Sequence, residues 1–265
     1  VESRGLGDVY KRQELPGATL TIQDMDGNIV ESWVSTDTPH RVTGLHLGDA
    51  YTLTETRPAD GYALADEITF RLLQKVDENG SNLQEAEAYY LTKKSLLFWT
   101  WDDWKLLDDA TVIMRDDTIK AEFSKKDLTT MEELPGAELT ITDKDGKEID
   151  RWVSSDKPHY IEKLPAGDYT LTEVKAPDGY AFAESVPFTA LPTGEVQQFE
   201  MLDDVIKVEI SKKDLTTMEE LPGAELTLTD KGGTVVEHWT STDKPHYIEK
   251  LPAGDLSLIH ISEPT

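Results

Sequence analysis

The sequence predicts an all-β protein made of tandem antiparallel β-sandwich domains. Three observations predict it: strands written with a period of two, short Gly- and Pro-containing turns between them, and a unit that recurs along the chain. In Tyr169-Thr170-Leu171-Thr172-Glu173-Val174, one face carries Tyr169, Leu171 and Glu173 and the other Thr170, Thr172 and Val174, the alternation of a half-buried strand. The pattern returns as Tyr51-Thr52-Leu53-Thr54-Glu55, and in both places an Asp-Gly-Tyr turn follows, Asp60-Gly61-Tyr62 and Asp178-Gly179-Tyr180.

Internal repetition sets the domain boundaries. Ser124 to Lys144 and Ser211 to Lys231 differ only at Ile141 against Leu228, and the step from Leu134 to Leu221 defines a unit of 87 residues. A first copy opens at Glu14-Leu15-Pro16-Gly17-Ala18. Its Leu15 lies 119 residues before Leu134, which places an insertion at about residues 71–110. The expected domains are 14–120, with its first strand missing, 121–206, complete, and 207–255, truncated after Ala253-Gly254-Asp255. Helix is expected only at Asn82 to Ala88. Residues 1–13 and 256–265 resemble translated sequencing-adaptor sequence and are set aside from the fold. The junctions Asp116 to Lys125 and Asp203 to Lys212 hold no Gly or Pro, so each last strand should feed the next first strand as a stiff connection.

Composition narrows the function. A length of 265 residues allows two or three domains, each with its own core. The absence of cysteine removes disulfides and thiol chemistry. A net charge of −26 argues against nucleic acid and anionic membrane surfaces as partners. No apolar run approaches the ~20 residues that span a bilayer, and no signal-peptide pattern opens the chain. Asp24-Met25-Asp26-Gly27-Asn28 lacks the alternating acids of a calcium loop and its third-copy counterpart is Asp230-Lys231-Gly232-Gly233, so a hairpin turn is expected. His40, His159 and His246 each follow a proline and lack a second ligand at metal spacing, which favours a turn role. Leu191-Pro192-Thr193-Gly194 lacks the residue a sortase signal has between Pro and Thr and is expected as a turn. No metal, no cofactor and no turnover of an external substrate are expected.

Strand parity turns three charged groups inward. Ile119, Ala121, Phe123 and Lys125 share a face opposite Lys120 and Glu122, and Phe199, Met201 and Asp203 share another. With Glu173, one lysine and two carboxylates then point into an apolar core, where an unpartnered charge is expensive. Two readings follow. One is a buried salt-bridge triad. In the other, desolvation favours the neutral forms of amine and acid; the amine attacks the acid carbon while a neighbouring carboxyl shuttles protons, leaving an amide and water.

Ser124-Lys125-Lys126-Asp127, Glu133-Leu134-Pro135-Gly136-Ala137, Trp152, Leu171-Thr172-Glu173, Ala176-Pro177-Asp178-Gly179-Tyr180 and Met201-Leu202-Asp203 together resemble the collagen-adhesin (Cna) B-type, SpaA-like domain of Gram-positive surface adhesins and pilins. The resemblance runs over residues 14–255. It implies an Ig-like, prealbumin-like sandwich, an extracellular, cell-wall location, and neighbouring domains of the same chain as partners. It also implies a spontaneous isopeptide bond with Lys125 as nucleophile, Glu173 as proton shuttle and Asp203 as acceptor. On that mapping copy one keeps Glu55 and Asp116 but has Leu6 at the lysine's offset, and copy three keeps Lys212 but has His260 at the glutamate's. Asp117 and Asp204 are alternative acceptors that parity turns outward.

Trp99, Trp101 and Trp104, with Phe98, Tyr89 and Tyr90, lie in the insertion beside Asp102 and Asp103. Clustered aromatics next to acids suit a glycan or a host extracellular-matrix protein; packing of the insertion onto the sandwich is the plainer account. A third class, an enzyme or protease-inhibitor-like use of the same sandwich, would be revealed by a turnover assay.

Overall fold

Alternating strands of this kind need a second layer to cover their apolar faces, and the three repeats find it in different ways. The computed structural model describes residues 14–96, 99–107 and 111–261. Two compact units divide the chain: unit 1 is Val1–Lys120 with Glu162–Ala166 and Ala190–Val196, and unit 2 is Ala121–Ile161, Gly167–Thr189 and Gln197–Thr265. No helix occurs among the described residues.

Unit 1 holds β1 (Thr19–Asp24), β2 (Ile29–Val34), β3 (Ala50–Arg57), β4 (Ile68–Val76), β5 (Asn82–Leu96) and β6 (Trp99–Leu106) in one sheet of order β2-β1-β3-β4-β5-β6. Ile22, Tyr51, Leu53 and Phe70 form its buried core, against which Val42, Leu45, Val112 and Met114 pack. Those last four lie outside the strands, so irregular backbone supplies the second layer here.

The expected helix at Asn82 to Ala88 is instead the first half of β5. Its residues pair with β4 from Val76↔Asn82 to Leu72↔Ala88. The helix-favouring run Glu85-Ala86-Glu87-Ala88 also alternates, burying Ala88, and pairing with β4 outweighs intrinsic propensity. Asp77 fixes the turn by accepting from the amides of Asn79 (2.9 Å) and Ser81 (2.8 Å).

Unit 2 opens with β7 (Lys120–Asp127), β8 (Glu138–Asp143), β9 (Glu148–Val153), β10 (His159–Glu162), β11 (Gly167–Lys175), β12 (Val186–Ala190) and β13 (Val196–Asp203). They form a three-stranded sheet, β10-β7-β13, and a four-stranded one, β12-β11-β8-β9. Phe123 of β7 closes the sandwich, its ring 5.8 Å from Trp152 of β9 and 5.2 Å from Phe188 of β12. Between the layers Ala121, Leu139, Ile141, Tyr169, Leu171 and Met201 are buried.

The third repeat has β14 (Lys207–Ile210), β15 (Glu225–Asp230), β16 (Val235–Thr240), β17 (His246–Glu249) and β18 (Leu256–Ile261), in sheets β14-β17 and β16-β15-β18. Leu226, Leu228, Trp239, Ile248 and Leu251 are its core. β18 is built from the segment set aside as adaptor-like. Leu-Ser-Leu-Ile-His-Ile alternates well enough to pair with β15, and Leu226↔His260 repeats the register of Leu139↔Glu173.

One serine pins the Leu-Pro-Gly-Ala turn of every repeat. Ser154 Oγ donates to the Leu134 carbonyl (2.6 Å) and accepts from the Ala137 amide (2.9 Å). Ser35 does the same for Leu15 and Ala18, and Ser241 for Leu221 and Ala224.

Candidate functional site

Strands β7, β11 and β13 carry Lys125, Glu173 and Asp203 to one point in the core of the second repeat. The alternation is regular on each strand: Ala121, Phe123 and Lys125 are buried on β7, Tyr169, Leu171 and Glu173 on β11, Met201 and Asp203 on β13. Lys125 and Asp203 are 1% exposed and Glu173 6%. Lys125 Nζ lies 3.0 Å from Glu173 Oε1 and contacts Asp203 Oδ1. The ends of β7 and β13 are tied by the Leu128 amide, which donates to the Asp203 carbonyl (2.8 Å). The Ala183 amide donates to Glu173 Oε2 (2.8 Å), which holds that carboxyl by one oxygen and leaves the other toward the lysine.

The electrostatics favour a proton on Asp203. Burial, with the adjacent Glu173 adding to it, pushes Asp203 up to about 6 against the opposing pull of Lys125. Glu173 Oε1 and Asp203 Oδ2 are buried acceptors without a hydrogen-bond donor. The two acids are close enough to hydrogen-bond, which places a proton on Asp203 within reach of Glu173. An amine, an acid carbon and a second carboxyl thus stand in contact inside a buried core, the components of an amide condensation.

The first repeat has half of this arrangement. Glu55 is buried and takes the Ala65 amide on Oε2 at 2.7 Å, as Glu173 takes Ala183. Burial raises both Glu55 and Asp116, which share a hydrogen bond. Among the described residues no lysine bridges them, and Leu6 lies outside those residues. In the third repeat Lys212 is half-buried and His260 is exposed. Asp117 and Asp204 are both exposed and bound to Lys120 and Lys207 at 2.8 Å, away from Lys125.

The insertion aromatics do not gather on one face. Trp101 is 47% exposed and pairs across the hairpin with Lys94, while Trp104 pairs with Leu91; three positions apart on one strand, they take opposite faces. Trp104 lies under the Arg71 guanidinium at 4.1 Å. Trp99 begins β6 opposite Leu96, and Phe98 lies outside the described residues. No group of acids and histidines among the described residues could hold a metal ion.

Sequence reasoning missed two features. Each Pro-His histidine stacks on its repeat's tryptophan and meets an acid: His40 on Trp33 with Glu31, His159 on Trp152 with Asp150, His246 on Trp239 with Glu237. The signal was the constant seven-residue step from Trp to His. The second is Asp127, buried two residues beyond Lys125. It accepts from Tyr180 Oη (2.7 Å) and the amides of Thr129 (2.7 Å) and Thr130 (3.0 Å), and the Tyr180 hydroxyl foremost holds it below the usual carboxylate range.

The family described as SpaA, prealbumin-like fold domain, matches residues 7–86, 119–204 and 206–265. Similar solved structures include the Bacillus anthracis TIE protein, at 20% identity over 96% of this chain and 44% of that one, with TM-score 0.42. A streptococcal ancillary pilin has 16% identity over 81% of this chain and 73% of that one, with TM-score 0.31. The shaft pilin SpaA of Lactobacillus rhamnosus GG has 16% identity, 72% and 86% coverage and TM-score 0.29. This chain spans less than half the length of the first of these. No protein with a curated description matches it.

Proposed function

The chain belongs to the family of SpaA prealbumin-like fold domains, and from that premise we propose that it is a segment of a Gram-positive cell-surface stalk or pilin-like adhesin. Its second repeat is stapled by an amide between Lys125 and Asp203. One observation carries this reading: a lysine, its acceptor carboxyl and a second carboxyl in contact inside an apolar core, where three separate charges would be costly. With Lys125 as the neutral amine and Asp203 protonated, Lys125 Nζ attacks Asp203 Cγ; Glu173 takes one N–H proton and returns it to the departing hydroxyl. One N–C bond forms, one C–O bond breaks, and water leaves. No electron changes hands and no cofactor is required. The chain acts once on itself and turns over nothing. No helix among the described residues is long and apolar enough to cross a membrane, and the proposed attachment is to the cell wall.

Intact-mass measurement tests it. The chain should weigh one water, about 18 Da, less than its sequence mass, and Lys125→Ala or Glu173→Gln should restore the full mass. A folded chain of full mass would return the trio to a buried salt bridge.

A second reading has its own observation. Trp101 is exposed beside Asp102 on the insertion hairpin, the placement of a stacking platform for a sugar ring or a host-protein side chain. It requires saturable glycan or matrix-protein binding that Trp101→Ala abolishes and Trp104→Ala does not.

A further inference from the structure

We propose that the Asp-Gly-Tyr turns of the first two repeats, Asp60-Gly61-Tyr62 and Asp178-Gly179-Tyr180, are docking sites built for one partner, the Glu-Lys-Leu-Pro loop of the repeat that follows. The same contact set occurs twice. Within unit 2, Gly179 has φ 85° and an added Cβ would stand 2.8 Å from the Lys250 carbonyl oxygen; within unit 1, Gly61 has φ 83° and its Cβ would stand 2.7 Å from the Lys163 oxygen. Only a residue without a side chain admits that carbonyl. The loop is shaped to deliver it: Lys163 and Lys250 hold φ values of 63° and 56°, a left-handed conformation that a side-chain-bearing residue keeps only where its surroundings impose it. Each lysine then sets its ammonium 5.2 Å from the ring centre of the tyrosine after the glycine, Tyr62 or Tyr180. Tyr180 in turn donates to the buried Asp127, so cation, phenol and carboxylate form one chain.

The connecting residue is held as well. In unit 1 the Ile119 amide donates to Gly61 O (3.0 Å) and the Ile119 carbonyl accepts from Lys163 N (2.8 Å). In unit 2 Ile206 is held in a related way, giving its amide to Gly179 O (2.8 Å) and accepting from Leu251 N (3.4 Å), one residue beyond Lys250. A connector bonded on both sides in this way belongs to the joint.

The absence of cysteine makes the joint measurable in the full chain. Cysteines replacing the exposed, repeat-equivalent Asp156 and Asp243 carry spin labels, and pulsed dipolar spectroscopy reads the distance distribution between repeats 2 and 3. One narrow distribution is expected. Gly179→Ala should widen it roughly twofold, since undocked domains move freely, and Lys250→Gly, which removes both ammonium and strain, should widen it too. Gly233→Ala is the control: its φ is 83° but no atom lies within 4 Å of the added Cβ, so the distribution should stay narrow. A broad distribution in the parent chain, or an unchanged one in both Gly179→Ala and Lys250→Gly, would overturn the proposal.

Discussion

Asp203 is the residue whose titration should be visible. Its folded-state value is raised to about 6, chiefly by burial, so the folded chain holds the proton more tightly than the unfolded one. That stabilisation is complete below the unfolded value of about 4 and is lost as pH rises through about 6. In the uncross-linked Glu173→Gln chain, stability should therefore fall between pH 4 and 6 by at most on the order of 3 kcal/mol, reduced by the loss of the Glu173 contribution. Chemical denaturation of Glu173→Gln beside Glu173→Gln/Asp203→Asn isolates it; equal pH slopes in the two would remove Asp203 as the cause. The positions of all three site residues were legible because parity on a strand is a two-state variable: once Phe123 and Met201 point inward, Lys125 and Asp203 must follow. The amide that holds Glu173 was not legible, because Ala183 lies outside the regular strands, where no period predicts which amide points where.

At the scale of elements, the serine that pins each Leu-Pro-Gly-Ala turn offers a stability test. Ser154→Ala leaves the Leu134 carbonyl and the Ala137 amide without their side-chain partner at a buried position. The cost should be about 1–3 kcal/mol, read as a shift in denaturant midpoint in the Glu173→Gln background; a shift indistinguishable from zero would mean water replaces the hydroxyl. Strands and turns were read from sequence wherever apolar and polar residues alternate between Gly-containing turns. The Asn82–Ala88 segment was misread because its alanines and glutamates satisfy both helical propensity and alternation, and the choice is made by β4, a neighbour whose register no local pattern encodes. The Trp–His stacks were likewise hidden, since they join the β9 and β10 edges through side-chain planes and strand period says nothing about ring orientation.

For the whole molecule, the three repeats share a fold and differ in whether a staple can close. The second brings lysine and both acids together, the first shows Glu55 and Asp116 without a lysine among the described residues, and the third presents His260 in the glutamate's register. Limited proteolysis should leave a fragment containing residues 121–206 after the flanking repeats are cut; a third repeat that lasts as long would show that the staple is not what separates them. The proposed staple would also have a denatured-state effect: joining residues 78 apart should stabilise the repeat by on the order of 4 kcal/mol through chain entropy, by analogy with a disulfide of that span. Because Lys125 and Asp203 sit on the first and last strands of their repeat, an amide between them has a consequence for length. At about 3.3–3.6 Å per residue, the intervening chain stores on the order of 270 Å of slack, which an unstapled repeat pays out when pulled from its ends. The proposed amide would shunt the pull past that slack, so single-molecule traces of the parent chain should lack an extension step of that size and Glu173→Gln should regain it: the repeat would become a link of fixed length.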